Sequence, residues 1–182
     1  RRFRIRFPNE ELPAARPHQT TPLYDIHCAN GAVMGDSWGL ETPLWFAPDG
    51  VKAEDVFSFH RSNDFEHVKA EVQNCRNNVG YTDISNFAKY EITGPGAREW
   101  LSMIMTNFIP HEGRLALTSM VTNEGKINGD FTIAAAGVDR AGPNIGNERF
   151  QMWGSSQAQI YHMRWFEEHL PDDGSVRIRN IN

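Results

Sequence analysis

The sequence predicts an α+β fold: a largely antiparallel sheet packed with helices, preceded by an irregular extended N-terminal segment. Three observations carry this. Residues 1–62 are punctuated by Pro8, Pro13, Pro17, Pro22, Pro43 and Pro48, and proline breaks helices and removes a backbone donor. Residues 63–182 then switch repeatedly between a period near 3.6 and a period of 2. The resulting order is helix, strand, helix, hairpin, strand, helix, strand, which favours a largely antiparallel sheet packed with helices.

The elements follow in order. Trp38, Trp45, Phe46, Phe57 and Phe59 are interspersed through the first 62 residues, so this segment is expected to pack along something despite its irregular pattern. Residues 63–79 predict a helix with Phe65, Val68, Val72, Cys75 and Val79 on one buried face. Asn63 and Glu66 have capping-box-like spacing, and Gly80 is placed to end the helix in the left-handed conformation. Residues 86–93 alternate: Ala88, Tyr90 and Ile92 on one face, Phe87, Lys89, Glu91 and Thr93 on the other. Phe87 is an aromatic on an otherwise polar face. A Gly94-Pro95-Gly96 corner leads into a helix whose inward stripe is Ala97, Trp100, Leu101, Ile104 and Met105.

Residues 114–121 and 126–136 read as a hairpin around "TNEG". On its second strand Ile127, Phe131 and Ile133 share a face, opposite Asn128, Asp130 and Thr132. Residues 137–149 read as loop and 150–153 as a strand. Ser156 and Gln159 match a capping box for a helix ending before Pro171, with Ile160, Met163 and Phe166 inward. "SVRIRNI" alternates as the last strand. Two domains are expected: 1–62, an extended Pro- and aromatic-rich segment, and 63–182, the helix-and-sheet domain.

Composition excludes several classes. Hydrophobic content of 40% and charged content of 23% are ordinary for a globular protein. A net charge of −5 argues against a general nucleic-acid binder. Arg1, Arg2, Arg4 and Arg6 make a basic arm, read as an exposed linker. Cys28 and Cys75 form no CxxC or Cys/His cluster, so neither zinc nor a disulfide framework is indicated. No apolar run approaches the roughly 20 residues needed to span a bilayer. The chain lacks an initiator Met and a signal-peptide core, which raises the expectation of an internal piece of a larger polypeptide.

Candidate chemistry is sparse. The Gly-Pro-Gly corner lacks the Lys-Ser/Thr pair of a P-loop, and no GxGxxG or GxSxG occurs. The corner is expected only to turn the chain. His60 and His67, and His162 and His169, are spaced by seven residues without a Cys or carboxylate at ligand spacing, so no metal is expected. Asp130 stands out: it follows Gly129, which permits close approach, and shares a face with Thr132. Patterning alone leaves a solvated strand carboxylate as the simpler reading.

Three stretches alter that balance: "GYTDISNFAKYEITGPGA" (80–97), "SMVTNEGKINGDFTI" (119–133) and "WFEEHLPDDGSVRIRNI" (165–181). In this order and spacing they resemble the first part of the glycine cleavage T-protein, or aminomethyltransferase, folate-binding fold. "RPHQTTPLYDIHCANGAVMGDSWGLETPLWFAPDG" (16–50) and "FSFHRSNDFEHVKAE" (57–71) resemble the junction between the flavin and folate parts of dimethylglycine and sarcosine dehydrogenases. The resemblance implies tetrahydrofolate as the bound cofactor and FAD in a domain that this chain does not contain. It implies transfer of a one-carbon unit from a small methylated amine, in the cytoplasm or, for a eukaryotic source, the mitochondrial matrix. It assigns Asp130 as the functional aspartate near the folate nitrogens, and Phe87, Leu117, Thr132 and Ser155 as pocket-lining positions.

Departures accompany the resemblance. The family often has an aromatic at the position of Leu117 and a second acidic residue at that of Gly129. "WGSS" (153–156) replaces a more usual turn, and the loop 137–149 looks long. The family's later acidic, Arg and aromatic folate contacts have no counterpart, so the chain alone is expected to be inactive and to bind folate weakly. The expected partners are folate, the amine and the rest of the parent polypeptide, without nucleic acid or membrane. Two alternatives stand: a dimethylsulfoniopropionate demethylase-like methyltransferase, disfavoured by the aromatic-rich upstream segment, and a non-catalytic folate-binding or assembly module.

Overall fold

The computed structural model describes residues 5–138 and 145–182. Arg1, Arg2 and Arg4 of the basic arm lie outside the described residues, as does the centre of the expected 137–149 loop. The chain divides into two compact units, Arg1–Asn86 and Phe87–Asn182.

The first unit is more regular than its proline pattern predicts. It contains β1 (Gln19–Thr20), α1 (Tyr24–Ala29), β2 (Ala32–Ser37), β3 (Leu40–Phe46) and α2 (Phe65–Asn77). The strands form a sheet in the order β1-β3-β2, β1 parallel and β2 antiparallel to β3. Five of the six prolines fall outside these elements. The sixth, Pro43, lies in β3 past the two residues that pair with β1, where its missing N–H leaves no bond unmade. The register shifts there, from Val33↔Trp45 to Met34↔Pro43. Trp38 and Gly39 make the β2–β3 turn with φ of 56° and 93°. That is the geometry of a type I′ hairpin turn, without the Asn or Asp that usually announces it.

Helix α2 forms where the apolar spacing places it, but none of its residues is buried. Phe65 and Val72 are exposed, as is Cys75. Its fixed points are polar: His67 stacks on Trp45 at 5.3 Å, and Glu71 Oε1 accepts the Phe46 N–H at 3.1 Å. Asn63 does not cap the helix. It bonds the Val56 N–H and the Glu54 carbonyl, and Asp64 is the cap residue. Asn78 ends the helix, and Gly80 is not left-handed. Gly80 instead closes against the Cys75 sulfur, where an added Cβ would meet Sγ at 2.3 Å. In this unit the Arg16 guanidinium forks onto Glu41, Nε to Oε1 at 2.7 Å and Nη2 to Oε2 at 2.5 Å. A buried carboxylate requires such pairing.

The second unit contains β4 (Ala88–Thr93), α3 (Ala97–Ile104), β5 (Leu115–Val121), β6 (Ile127–Val138), β7 (Glu148–Gly154), a single 3-10 turn (Ser156–Ala158), α4 (Gln159–Glu168) and β8 (Arg177–Asn180). Its sheet runs β5-β6-β7-β4-β8, antiparallel throughout. The expected alternation holds: Ala88, Tyr90, Ile92, Phe131, Ile133, Phe150 and Met152 face one side and are buried. The α3 stripe of Ala97, Trp100, Leu101 and Ile104 packs on that side with Phe166 of α4. Rings of Tyr90, Trp100 and Phe131 surround Phe166 at 5.2, 6.1 and 5.7 Å. Buried Tyr90 and Trp100 donate to the backbone carbonyls of Gln159 and His169, at 3.1 and 2.7 Å.

Two helix assignments need correction. Ser156 begins the 3-10 turn and makes no capping bond, because the chain tightens there before α4 starts. Ile160 is exposed, and His162 takes an inward place with Phe166. Within α4, Ile160 lies about 120° round the helix from Phe166, whereas His162, four residues before Phe166, shares its face. Ile127 is also exposed, at the hairpin end next to a register shift between Met120 and Val121.

Candidate functional site

The core face of the second sheet is covered by α3 and α4. The opposite face carries every candidate from the sequence. Cross-strand partners point to the same side of a sheet, so register decides who stands beside whom. Leu117 pairs with Thr132, Thr132 with Trp153, and Trp153 with Lys89, giving one row across four strands. Ser119 pairs with Asp130. Ser119 and Asp130 make a shorter second row. The β6–β7 pairing ends at Thr132↔Trp153, and Ser155 and Phe87 lie one residue beyond the ends of β7 and β4, next to the Ala88↔Gly154 pair.

The rows differ in character. Leu117 is 71% exposed and Phe87 46%, large apolar groups turned outward. Asp130 is exposed, and its Oδ1 accepts the Ser119 hydroxyl at 2.5 Å. Thr132, Trp153 and Ser155 are half-buried. Lys89 Nζ donates to the Phe87 carbonyl at 2.7 Å and to Asn182 Oδ1 at 3.1 Å, which keeps the ammonium at the rim. The arrangement offers a carboxylate and hydroxyls beside an apolar shelf. Such a surface suits a flat, nitrogen-rich heterocycle: the shelf takes its face and the polar groups take its N–H edge. Among the described residues no group of three His, Cys, Asp or Glu could hold a metal ion.

Support for Asp130 comes from behind the strand. Asn128 and Gly129 are held by Tyr161 and His162 of α4; the sequence marks Asn128 only as a strand residue and His162 only as a histidine without metal-ligand spacing, and nothing in it singles out Tyr161. Trp153 was likewise missed, and its alternation with Met152 in "FQMW" was the available signal. Gly129 lies against the His162 ring, where a Cβ would meet Nε2 at 2.7 Å and Phe131 Cε2 at 2.9 Å. No acidic side chain fits at 129 while that imidazole is present.

A separate hollow of about 750 Å³ lies in the first unit, lined by His27, Phe46, Val72, Cys75, Tyr81 and Asp83 among others. His27 Nε2 stands 3.4 Å from Asp83 Oδ2. Burial raises the Asp83 pKa, but hydrogen bonds led by those from Ser85 outweigh it and hold the carboxyl below its ordinary value.

The family model described as the GCVT N-terminal domain matches residues 23–182. The chain belongs to this family. Dimethylglycine dehydrogenase, mitochondrial, of Rattus norvegicus is 31% identical over 179 residues, covering 97% of this chain and 20% of that protein. The mitochondrial pyruvate dehydrogenase phosphatase regulatory subunit of Mus musculus is 27% identical over 185 residues, covering 98% and 20%. The chain thus spans about a fifth of the length of these relatives. The crystal structure of glycine cleavage system aminomethyltransferase T from Bartonella henselae superposes with a TM-score of 0.64 at 16% identity, over 90% of this chain and 38% of that one. The α+β architecture is therefore that of the GCVT family, and the domain is aminomethyltransferase-like. Both relatives are named as mitochondrial, and no helix among the described residues is long and apolar enough to cross a membrane.

Proposed function

We propose that the open face of the second sheet is one wall of a tetrahydrofolate site, serving transfer of a one-carbon unit from a methylated amine. The carrying observation is the register that sets Leu117, Thr132, Trp153 and Lys89 in one row and Ser119 beside Asp130. Bound tetrahydrofolate would supply the nucleophilic nitrogen that accepts the carbon unit. Phe87 and Leu117 would give the ring system apolar contact and shield it from water. The Asp130 carboxylate, fixed by the Ser119 hydroxyl that donates to Oδ1, would accept an N–H from the heterocycle and orient it. A carboxylate so placed is also able to hold a proton released at the adjacent nitrogen. Thr132 and Ser155 add hydroxyls at the edges. FAD, in this reading, belongs to a separate flavin-bearing region acting with this one, as expected for a dimethylglycine or sarcosine dehydrogenase-type demethylase.

Isothermal titration of tetrahydrofolate into the chain tests the site. Weak saturable binding is expected, reduced at least tenfold by Asp130→Asn. Equal binding by the variant removes Asp130 from the site. The likeness to a regulatory subunit favours a second reading, a non-catalytic module that keeps the fold. Folate binding without one-carbon transfer, measured in the longest polypeptide containing this sequence, would select it.

A further inference from the structure

Asp130 stands on β6 two residues after Asn128, which one helix grips at two points. The His162 Nε2–H donates to the Asn128 carbonyl at 2.9 Å. The Tyr161 hydroxyl donates to Asn128 Oδ1 at 2.6 Å. The His162 ring also fills the space over Gly129 and packs edge-on to Phe131, centroids 4.8 Å apart. Strand β6 is thus fixed to α4 through both residues that precede Asp130. The hairpin end next to it is irregular, with a register shift between Met120 and Val121. Ladder pairing alone holds this stretch less firmly than the middle of the sheet.

His162 has no simpler occupation. It is 2% exposed, and its Nδ1 has no hydrogen-bond partner. Burial lowers the imidazole's pKa, so the ring is neutral with its proton on Nε2, the nitrogen that faces Asn128. A leucine would fill the same volume without burying an unpaired nitrogen, which carries a cost. What the histidine adds is the bond to Asn128. The Asn128 side-chain nitrogen is also buried and without a hydrogen-bond partner.

We propose that Tyr161 and His162 are positioning residues that hold Asn128 and Gly129 and thereby set the reach and orientation of the Asp130 carboxylate. This rests on the folate reading for its consequence, though not for its geometry. Misplacement of a reacting or binding group by about 1 Å costs up to about a hundredfold in rate, so a two-point grip adjacent to Asp130 has a measurable effect.

The test uses the full chain and two readouts. The first, without ligand, is amide hydrogen exchange at Gly129 and Asp130 by NMR. His162→Leu and Tyr161→Phe are expected to speed exchange there at least tenfold, with Tyr90 and Ile92 unchanged. His162→Gln, which can replace the Nε2 donor, is expected to restore protection. Tyr161 is exposed, so its variant keeps the fold if His162→Leu does not. Unchanged exchange in Tyr161→Phe and His162→Leu overturns the proposal whatever folate does. The second readout is the tetrahydrofolate dissociation constant, expected to weaken at least fivefold in both and to recover in His162→Gln. If Asp130→Asn weakens binding and the clamp variants do not, the proposal falls and the folate reading stands. If wild type binds no folate but exchange responds as expected, the folate reading falls and the positioning geometry stands.

Discussion

Replacing Gly94 by alanine isolates the physical job of the Gly-Pro-Gly corner. Gly94 has φ of +122°, a region that side chains avoid, and a residue forced there costs about 1–3 kcal/mol. Contact adds to strain. A Cβ would lie 2.2 Å from the Ser175 carbonyl oxygen, 3.0 Å from its carbon and 3.2 Å from Val176 Cα, all backbone atoms. Relief requires residues 175–176 to retreat. That lengthens the 3.1 Å bond from the Gly96 N–H to the Ser175 carbonyl and pulls buried Val176 from the core. Overpacking of this kind costs about 1–3 kcal/mol, so Gly94→Ala is expected to lose roughly 3 kcal/mol or more in total. Gly113→Ala is the control in the same unit. It has φ of +74° and nothing within 4 Å of a built Cβ, so only left-handed strain of about 1–2 kcal/mol remains. Urea titration followed by far-UV circular dichroism reads both. With a slope of about 1–3 kcal/mol per molar urea, Gly94→Ala should move the midpoint clearly further than Gly113→Ala. Equal shifts would refute the argument that backbone contact with Ser175 fixes this corner.

Three further outcomes are expected. Phe166→Ala should destabilise the second unit by about 3–5 kcal/mol, because three aromatic rings lose their common neighbour; a thermal melt within a degree of wild type would contradict that packing. His162, whose pKa burial holds below 6.5, binds its proton more readily in the unfolded chain. Stability should therefore fall as pH drops below about 6.5, and His162→Gln should flatten that slope in urea titrations across pH. The bond from Arg98 lowers the Glu148 pKa from 4.5, and Arg98 Nη2 meets Glu148 Oε1 at 2.6 Å. This contribution is complete above about pH 4.5 and disappears as pH falls through the lowered value. Glu148→Gln should abolish that part of the acid sensitivity, and an unchanged acid profile would show the pair to be idle.

The second unit was largely legible because its sheet has one dry face and one open face. Burying Tyr90, Ile92, Phe131 and Ile133 while leaving Lys89, Glu91 and Thr132 half-buried and Asp130 exposed imposes a period of 2 that patterning can detect. The first unit was not. Its sheet is small, its turn uses Trp38 in a left-handed conformation, and Pro43 sits at a bulge, so each local signal pointed away from a strand. The α2 stripe misled in the other direction. Spacing at 3–4 residues identifies a face but not whether anything covers it, and here Phe65, Val72 and Cys75 are exposed.

The sequence by itself determined the element types of residues 88–180, the inward faces of most strands and of α3, and the family resemblance from which Asp130 and its companions were drawn. Tertiary structure alone decided that Leu117, Thr132 and Trp153 share a row and that Ser119 stands beside Asp130, since these are relations between strands. It also decided that His162 turns inward and meets Asn128. Helical spacing puts His162 on the face of Phe166, four residues on, but which face is covered, and that Asn128 is there to meet the ring, are decided by packing.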